Sequence, residues 1–485
     1  MALTSSNPQL SKAADNNAAF LIAAGAALVL FPLAWIFGDD PILLAEITLT
    51  LAAIPAVVWI LRSNPASTPY LLIVAIYLGL LAVKFEFGVV NVRPNMLVAL
   101  IAAGLIGPQL FSNSAGLRGL PFLAWFLSAD AVYLFSTLSH RQSPFFSKGI
   151  ADCLLFLINI LQYVLVVRFL LEDAGRFGRV LRFFLYVSTI YAGLNILAFV
   201  LGQAKIGPFG SIFDYVHGDL GYFVRIKNFG TTEGTYVGFT VVVLLSLLLF
   251  CRENPPFTRK RLVLMLMLNG GAFVLTFARG PWLAVALTLV MLVAFMLVRL
   301  PRRRAVIVVR ELAFVFIVLA VAGGGLLLNS PSLAESASER FTSSSVLEAG
   351  TAAARLELWE NMWEDWKLAP WFGHGAHDYA KFRDDDPTGI SENFLLEFLH
   401  SAGLVGFSLF CIAIVTIVVR GIGPLSSTEG LRHMPFGLPI LAGFCAMCLS
   451  SLTNPGMTGG FFWAVLALLV CAERLLADVR HPRTV

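Results

Sequence analysis

Charge is scarce in this chain. Only 13% of its 485 residues are Asp, Glu, Lys or Arg, against about a quarter in ordinary soluble domains. The formal net charge is +4, so the basic excess that a nucleic-acid surface needs is missing, and no nucleic-acid partner is expected. Cysteine is as sparse. All six (Cys153, Cys251, Cys411, Cys445, Cys448 and Cys471) fall in apolar runs and give no disulfide framework. Cys445 and Cys448 form a C-x-x-C, but no His or second pair accompanies them, so they read as small residues on a membrane helix. Asp384-Asp385-Asp386 lacks the spacing of a calcium loop and reads as a solvated turn. No metal, cofactor or internal repeat is expected.

Hydrophobicity is what the chain has. Apolar residues make up 58%, and mean hydropathy is +0.80. Runs near the length of about 20 residues that crosses a bilayer recur at 19–37, 41–61, 69–87, 95–111, 119–138, 149–170, 179–201, 235–251, 262–278, 281–299, 306–328, 394–419, 435–452 and 456–476. The expected fold is all-α, a polytopic transmembrane helical bundle of about 12–14 spans. A large, partly helical extracytoplasmic loop precedes the last three. The stretch from Arg93 to Leu120 could instead form a re-entrant pair. The first apolar run has no small-residue cleavage pattern and reads as an uncleaved span.

Arginines fix the expected orientation. Short loops such as Arg299 to Arg310 are Arg-dense and should face the cytoplasm. Both termini then lie inside. The expected division is a cytoplasmic tail over 1–18, a transmembrane bundle over 19–328 with an extracytoplasmic loop at 202–234, a large loop over 329–393, further transmembrane helices over 394–476 and a cytoplasmic tail over 477–485. In the large loop, Leu356, Trp359, Met362, Trp363 and Trp366 recur at helical spacing opposite Glu357, Glu360 and Glu364, and Pro370 stops the pattern. That face either lies at the membrane interface or packs on the bundle.

Several residues stand out as chemistry. Arg279 sits in Thr276-Phe277-Ala278-Arg279-Gly280-Pro281-Trp282, a tight break between two apolar helices, where a cation needs a counter-charge or an anionic ligand. Pro281 suits the first turn of the following helix, so backbone N–H groups and the guanidinium together could cradle a diphosphate. An internal ion pair with Glu233 or Glu392 is the alternative. Arg225, Lys227 and Glu233 lie just before a span, where a snorkelling Arg and a capping acid would also fit. Glu392 opens a long apolar helix, as a cap or as a general base. His374 and His377 could titrate near neutrality. Asp130 and Glu46, nearest the span interiors, are the acids a transporter would use.

Three blocks resemble the superfamily of O-antigen ligases and polysaccharide polymerases. Arg225 through Glu233-Gly234 is similar to an Arg…Gly…Phe…Glu-Pro-Asn segment, with Gly where Pro is common. Ala278-Arg279-Gly280…Leu283-Ala284 resembles a Ser-Arg-Gly…Leu-Ala helix start. Arg355-x-x-x-Trp359, Pro370, Gly373-x-Gly375, Glu392-Asn393-x-x-Leu396 and Ala402-Gly403-Leu404-Val405-Gly406 follow the family's last signature. Many ligases place His, and many polymerases Glu, where this chain has Glu392. The resemblance implies a bacterial inner-membrane glycosyltransferase whose active site faces the periplasm. It implies a metal-independent, inverting transfer from a polyprenyl-diphosphate-linked glycan to an acceptor glycan or glycolipid, among membrane lipids and polysaccharide export or chain-length machinery. On that reading Arg279 and Arg225, with Arg355 or Lys227, hold the diphosphate. Glu392 is the first choice of base, with Glu233 and His377 behind it. Polymerase is preferred to ligase because of Glu392, and a transporter is the contrasting class.

Overall fold

The structure is a computed structural model that describes residues 54–80, 85–87, 90–112, 120–203, 213–216, 223–226, 231–251, 255–276, 278–299, 310, 350–382, 393–454 and 459–480. The expected span 19–37, all of 306–328 but Arg310, most of 41–61, Glu46, Lys227, Asp384–Asp386 and Glu392 lie outside those residues. In chain order the helices are α1 (Ile54–Ser63), α2 (Thr68–Leu80), α3 (Pro94–Ser112), α4 (Leu123–Ser139), α5 (Phe146–Leu171), α6 (Ala174–Gln203), α7 (Thr231–Phe250), α8 (Arg259–Leu275), α9 (Arg279–Arg299), α10 (Gly350–Trp366), α11 (Phe394–Ser426), α12 (Thr428–His433), α13 (Gly437–Ser450) and α14 (Gly460–Arg480). Five of these are long and apolar enough to cross a membrane, and shorter apolar helices accompany them, as an all-α polytopic fold requires.

Two short antiparallel hairpins interrupt the helices. Strands β1 (Phe85–Phe87) and β2 (Val90–Val92) pair Phe85 with Val92, and β3 (Phe213–Val216) and β4 (Phe223–Ile226) pair Phe213 with Ile226. The first hairpin corrects the span expected at 69–87. The helix stops at Leu80, and hydropathy alone cannot tell a β-branched aromatic turn from a continuing helix.

Helices α7 and α14 are almost wholly buried along their apolar stretches, so they form the centre of the bundle. Around them runs an aromatic core. Trp463 meets Phe126 and Phe156 edge-on, and Tyr236 stacks on Phe461 at 4.0 Å.

Helix α11 is not one helix. Gly403 (φ 64°, ψ −173°) breaks it. The rings of Phe394 and Phe410 lie 5.6 Å apart, whereas sixteen residues of straight helix would separate them by about 24 Å. The limb 394–402 therefore folds back on the limb 404–426. This corrects the single span expected at 394–419.

The loop segment Pro370–Gly375 fills the break. The amide N–H groups of His374 and Gly375 donate to the carbonyls of His400 and Ser401 at 2.9 and 3.0 Å. Those of Leu404 and Val405 donate to the carbonyls of Pro370 and Trp371 at 2.8 and 3.1 Å. Four groups at the break, two carbonyls and two amides, thus find backbone partners in the loop. Space for the crossing comes from Gly373 and Gly403, both at positive φ, where a Cβ would strike the opposing backbone.

Gly403→Ala should therefore uncouple loop and helix, costing at least about 3 kcal/mol from strain and lost hydrogen bonds. A thermal unfolding midpoint in detergent within a degree of wild type would contradict this.

Candidate functional site

Four helices begin at one level inside the bundle. Gly234, at the start of α7, abuts Ala278 and Pro281 at the start of α9. A Cβ on Gly280 would collide with Thr453, in the turn between α13 and α14. In the same turn Asn454 donates to Thr235 Oγ1 (2.8 Å) and accepts from Thr232 (3.3 Å), and Thr235 meets Ser450 at 2.6 Å. Gly460, opening α14, sits against Asn95 at the start of α3, and Asn95 donates to Gln162 at 3.2 Å. The inward limb of α11 starts nearby, because Phe410, which Phe394 touches, packs on Phe462 and Trp463. Asn393 caps that limb by accepting the Leu396 N–H at 3.1 Å.

Helix beginnings carry unpaired N–H groups and the positive end of the macrodipole. Several at one level make a region of positive potential suited to phosphate oxygens. The side chains there are of both signs. Glu233 is buried in the first turn of α7, near Tyr191 and Tyr236, and Arg93 lies within electrostatic reach of Tyr236. Arg279 opens α9, is exposed, and makes no ion pair with a described residue. Two buried donors, Tyr236 O–H and Trp463 Nε1–H, have no partner among the described residues.

The structure thus joins Arg279 and Glu233 in one region, with Pro281 in the first turn of its helix as the sequence suggested. Arg225 lies on β4, which neighbours α6. Arg355 is half-buried on α10. Asp130 is buried on α4 with Oδ1 unpartnered among the described residues. Sequence reasoning did not single out Arg93, Asn454 or the buried Glu397. Only the fold brings Asn454 to α7, and nothing in its local sequence marks it.

His377 occupies a different place. It holds a left-handed φ of 63°, is buried, and sets Nδ1 3.2 Å from Asp152 Oδ2 on α5. Ten residues separate Asp152 from Gln162 on that helix, about 15 Å of rise. Ala376 N–H donates to Thr137 Oγ1 at 2.9 Å, so this part of the loop is seated on the ends of α4 and α5.

A polar clamp fastens the loop to α11. Asp365 Oδ2 accepts from His400 Nε2 (2.8 Å) and from Lys381 Nζ (2.7 Å), and Lys381 also reaches Asp378 at 2.8 Å. His374 Nε2 donates to the Asp365 carbonyl at 2.7 Å, and its ring stacks on His400. Burial opposes ionisation of Asp365, yet the bonds from His400 and Lys381 outweigh it and hold the carboxyl well below its usual range. Burial pulls His374 below its ordinary value. Burial also acts against the Lys381 ammonium, but its two carboxylate partners win and raise it. Asp365, His374 and His400 are close enough to share a cation, although the Lys381 ammonium already neutralises the carboxylate.

The Trp-bearing face of α10 is packed on the protein over only part of its width. Leu358, Met362 and Trp359 pack on Tyr379, Phe382 and Leu396, while Leu356 and Trp363 are exposed.

Residues 262–411, from α8 through the loop and into the second limb of α11, match the model of the family described as O-antigen ligase. That stretch is similar to the O-antigen ligase family. No curated protein and no solved structure matches it. The superfamily resemblance read from the second half of the sequence is borne out over residues 262–411, and the five long apolar helices mark a membrane protein.

The clamp predicts a pH window. Asp365, with its lowered value, stabilises the docked loop at pH above about 4 and loses this as pH falls further. Lys381, with its raised value, contributes below about 10 and loses it at higher pH. His374 is docked neutral, so the unfolded state gains protons more readily as pH drops below about 6.5 and docking weakens. Protection from hydrogen exchange across 365–382, taken relative to the intrinsic amide rates, should be greatest between about pH 6.5 and 10. A rate profile that shows only the intrinsic pH dependence of amide exchange would refute the clamp.

Proposed function

We propose that this protein is a glycosyltransferase that takes an oligosaccharide from undecaprenyl diphosphate and polymerises repeat units of a surface polysaccharide by metal-independent, inverting transfer. The observation that carries this reading is the recessed meeting of helix beginnings beside Arg279 and buried Glu233. A diphosphate leaving group needs its growing charge held without reorganisation, and fixed N–H dipoles with a guanidinium do that. Arg225, Arg355 and Lys227 are the further cations of the proposal.

In the proposed step, an acceptor sugar hydroxyl attacks the anomeric carbon from the face opposite the diphosphate. The new C–O bond forms as the bond to the diphosphate oxygen breaks, and a carboxylate takes the hydroxyl proton. Glu392 is the proposed base. It directly precedes Asn393, the cap of the inward limb. Glu233 is second, and His377 third because Asp152 already engages it. The setting is the bacterial inner membrane, with both termini cytoplasmic and the site facing the periplasm. The partners are the lipid-linked donor, a glycan or glycolipid acceptor, and export or chain-length machinery.

The family description favours a second reading, a ligase that hands the finished glycan to a lipid A-core acceptor. A transporter would gather its polar residues around a solute path; here they accompany helix beginnings suited to an anion.

Arg279→Ala should lower polymer synthesis at least about 100-fold at normal expression, by analogy with loss of one oxyanion donor. Glu392→Gln should abolish turnover while donor binding persists. Unimpaired synthesis by Arg279→Ala in isolated membranes would remove the diphosphate assignment. In a null strain, retained single repeat units identify a polymerase, and lipid-linked polymer never joined to core identifies a ligase.

A further inference from the structure

The opposite end of the bundle holds a cavity of about 420 Å³ between the beginnings of α6 and α8 and the first turn of α2. Thr276, where α8 ends, abuts Gly234 at the recessed site, so the α8 beginning lies at the far membrane face. Three arginines line the cavity, Arg179, Arg182 and Arg261, together with Tyr70, Tyr186 and Phe257. No acid lines it. Arg179 is paired with Asp173 at 2.8 Å. Arg182 spends only Nε, on the Gly178 carbonyl, and neither it nor Arg261 has an ion-pair partner among the described residues. Two guanidiniums thus share a concave, aromatic-walled space without a carboxylate partner among the described residues. The aromatic wall is itself braced, Tyr186 meeting Phe257 edge-on at 5.4 Å.

The faces beyond the arginines say what kind of anion fits. On α6 the side chains that follow Arg182 at four-residue steps are Tyr186, Ile190 and Leu194, all exposed. On α8 those that follow Arg261 at three-residue steps are Leu264 and Met267, also exposed. Successive residues at these spacings are neighbours on the helix surface. Each helix therefore presents a guanidinium at its mouth and then a continuous apolar strip along the bilayer. A soluble phosphate would use only the first part. A lipid uses both.

We infer that this cavity is a binding site for the phosphate headgroup of an anionic phospholipid in the leaflet opposite the recessed site, with the acyl chains lying along α6 and α8. Guanidiniums suit phosphate because they donate two parallel hydrogen bonds, and basic pockets between membrane helices are established headgroup sites.

The test uses the full chain purified in detergent, with native mass spectrometry and thermal unfolding as readouts. Phosphatidylglycerol should be retained and raise the midpoint, whereas phosphatidylcholine with the same acyl chains should do neither. The Arg182→Gln, Arg261→Gln double variant should bind phosphatidylglycerol at least about 10-fold more weakly, while Arg432→Gln, an exposed arginine on α12, should not change it. If the double variant does not fold, single Arg182→Gln serves, with an expected loss of about 3- to 10-fold. Equal retention of the two lipids, or undiminished binding by the variants, overturns the inference. Equal stabilisation by millimolar inorganic phosphate overturns the lipid assignment in favour of a free-phosphate site.

Discussion

The backbone exchange between Pro370–Trp371, His374–Gly375 and the ends of the broken helix is the constraint on which the rest of this structure depends. Within a bilayer-spanning bundle, an unpaired carbonyl or amide costs several kcal/mol. A helix interrupted at Gly403 leaves such groups on both sides. The loop supplies a partner for His400, Ser401, Leu404 and Val405 together, so the break and the loop are stable only as a unit. The clamp of Asp365, Lys381, His374 and His400 fastens the same junction from the side chains. The vertex so formed turns the limb 394–402 inward and points its beginning at the aromatic floor around Phe410 and Trp463.

The second theme is the level at which helices start. An anion bound in the bundle would meet backbone dipoles from α3, α7, α9 and α14, and these need no motion to act. The polar side chains there serve mainly to hold the turn 451–454 and its neighbours in place. Asn454, Thr235 and Ser450 satisfy one another, so among the described residues the backbone N–H groups, Arg279, Tyr236 O–H and Trp463 Nε1–H stand as donors. Gly234, Gly280 and Gly460 are present for the same reason, since any side chain would push the helix beginnings apart.

Much of this architecture was legible in the sequence. Hydropathy located most of the helices, because a lipid-spanning segment must be apolar along its whole length. The pairing of Arg279 with Pro281 marked a helix beginning correctly, because proline fits there and nowhere deeper. The glycines 373, 375 and 403 were visible as a motif, but their purpose was not. It depends on two segments thirty residues apart crossing at van der Waals distance, which no local pattern records. The fold-back of α11 was hidden for a related reason: both limbs are apolar, so the run reads as one span. Asn95, Gln162 and Asn454 went unnoticed because isolated amides in apolar runs carry no periodic signal.

One feature of the core bears on biosynthesis. Helix α14 touches α5, α11 and α13 and is hidden from lipid on nearly all sides, yet it follows every other described helix in the chain. While translation proceeds, the earlier helices must wait around a slot that only this segment fills. The aromatic residues facing that slot stay unsheltered until α14 leaves the ribosome. A nascent chain stalled before Gly460 would lack its floor and be a ready substrate for membrane proteases.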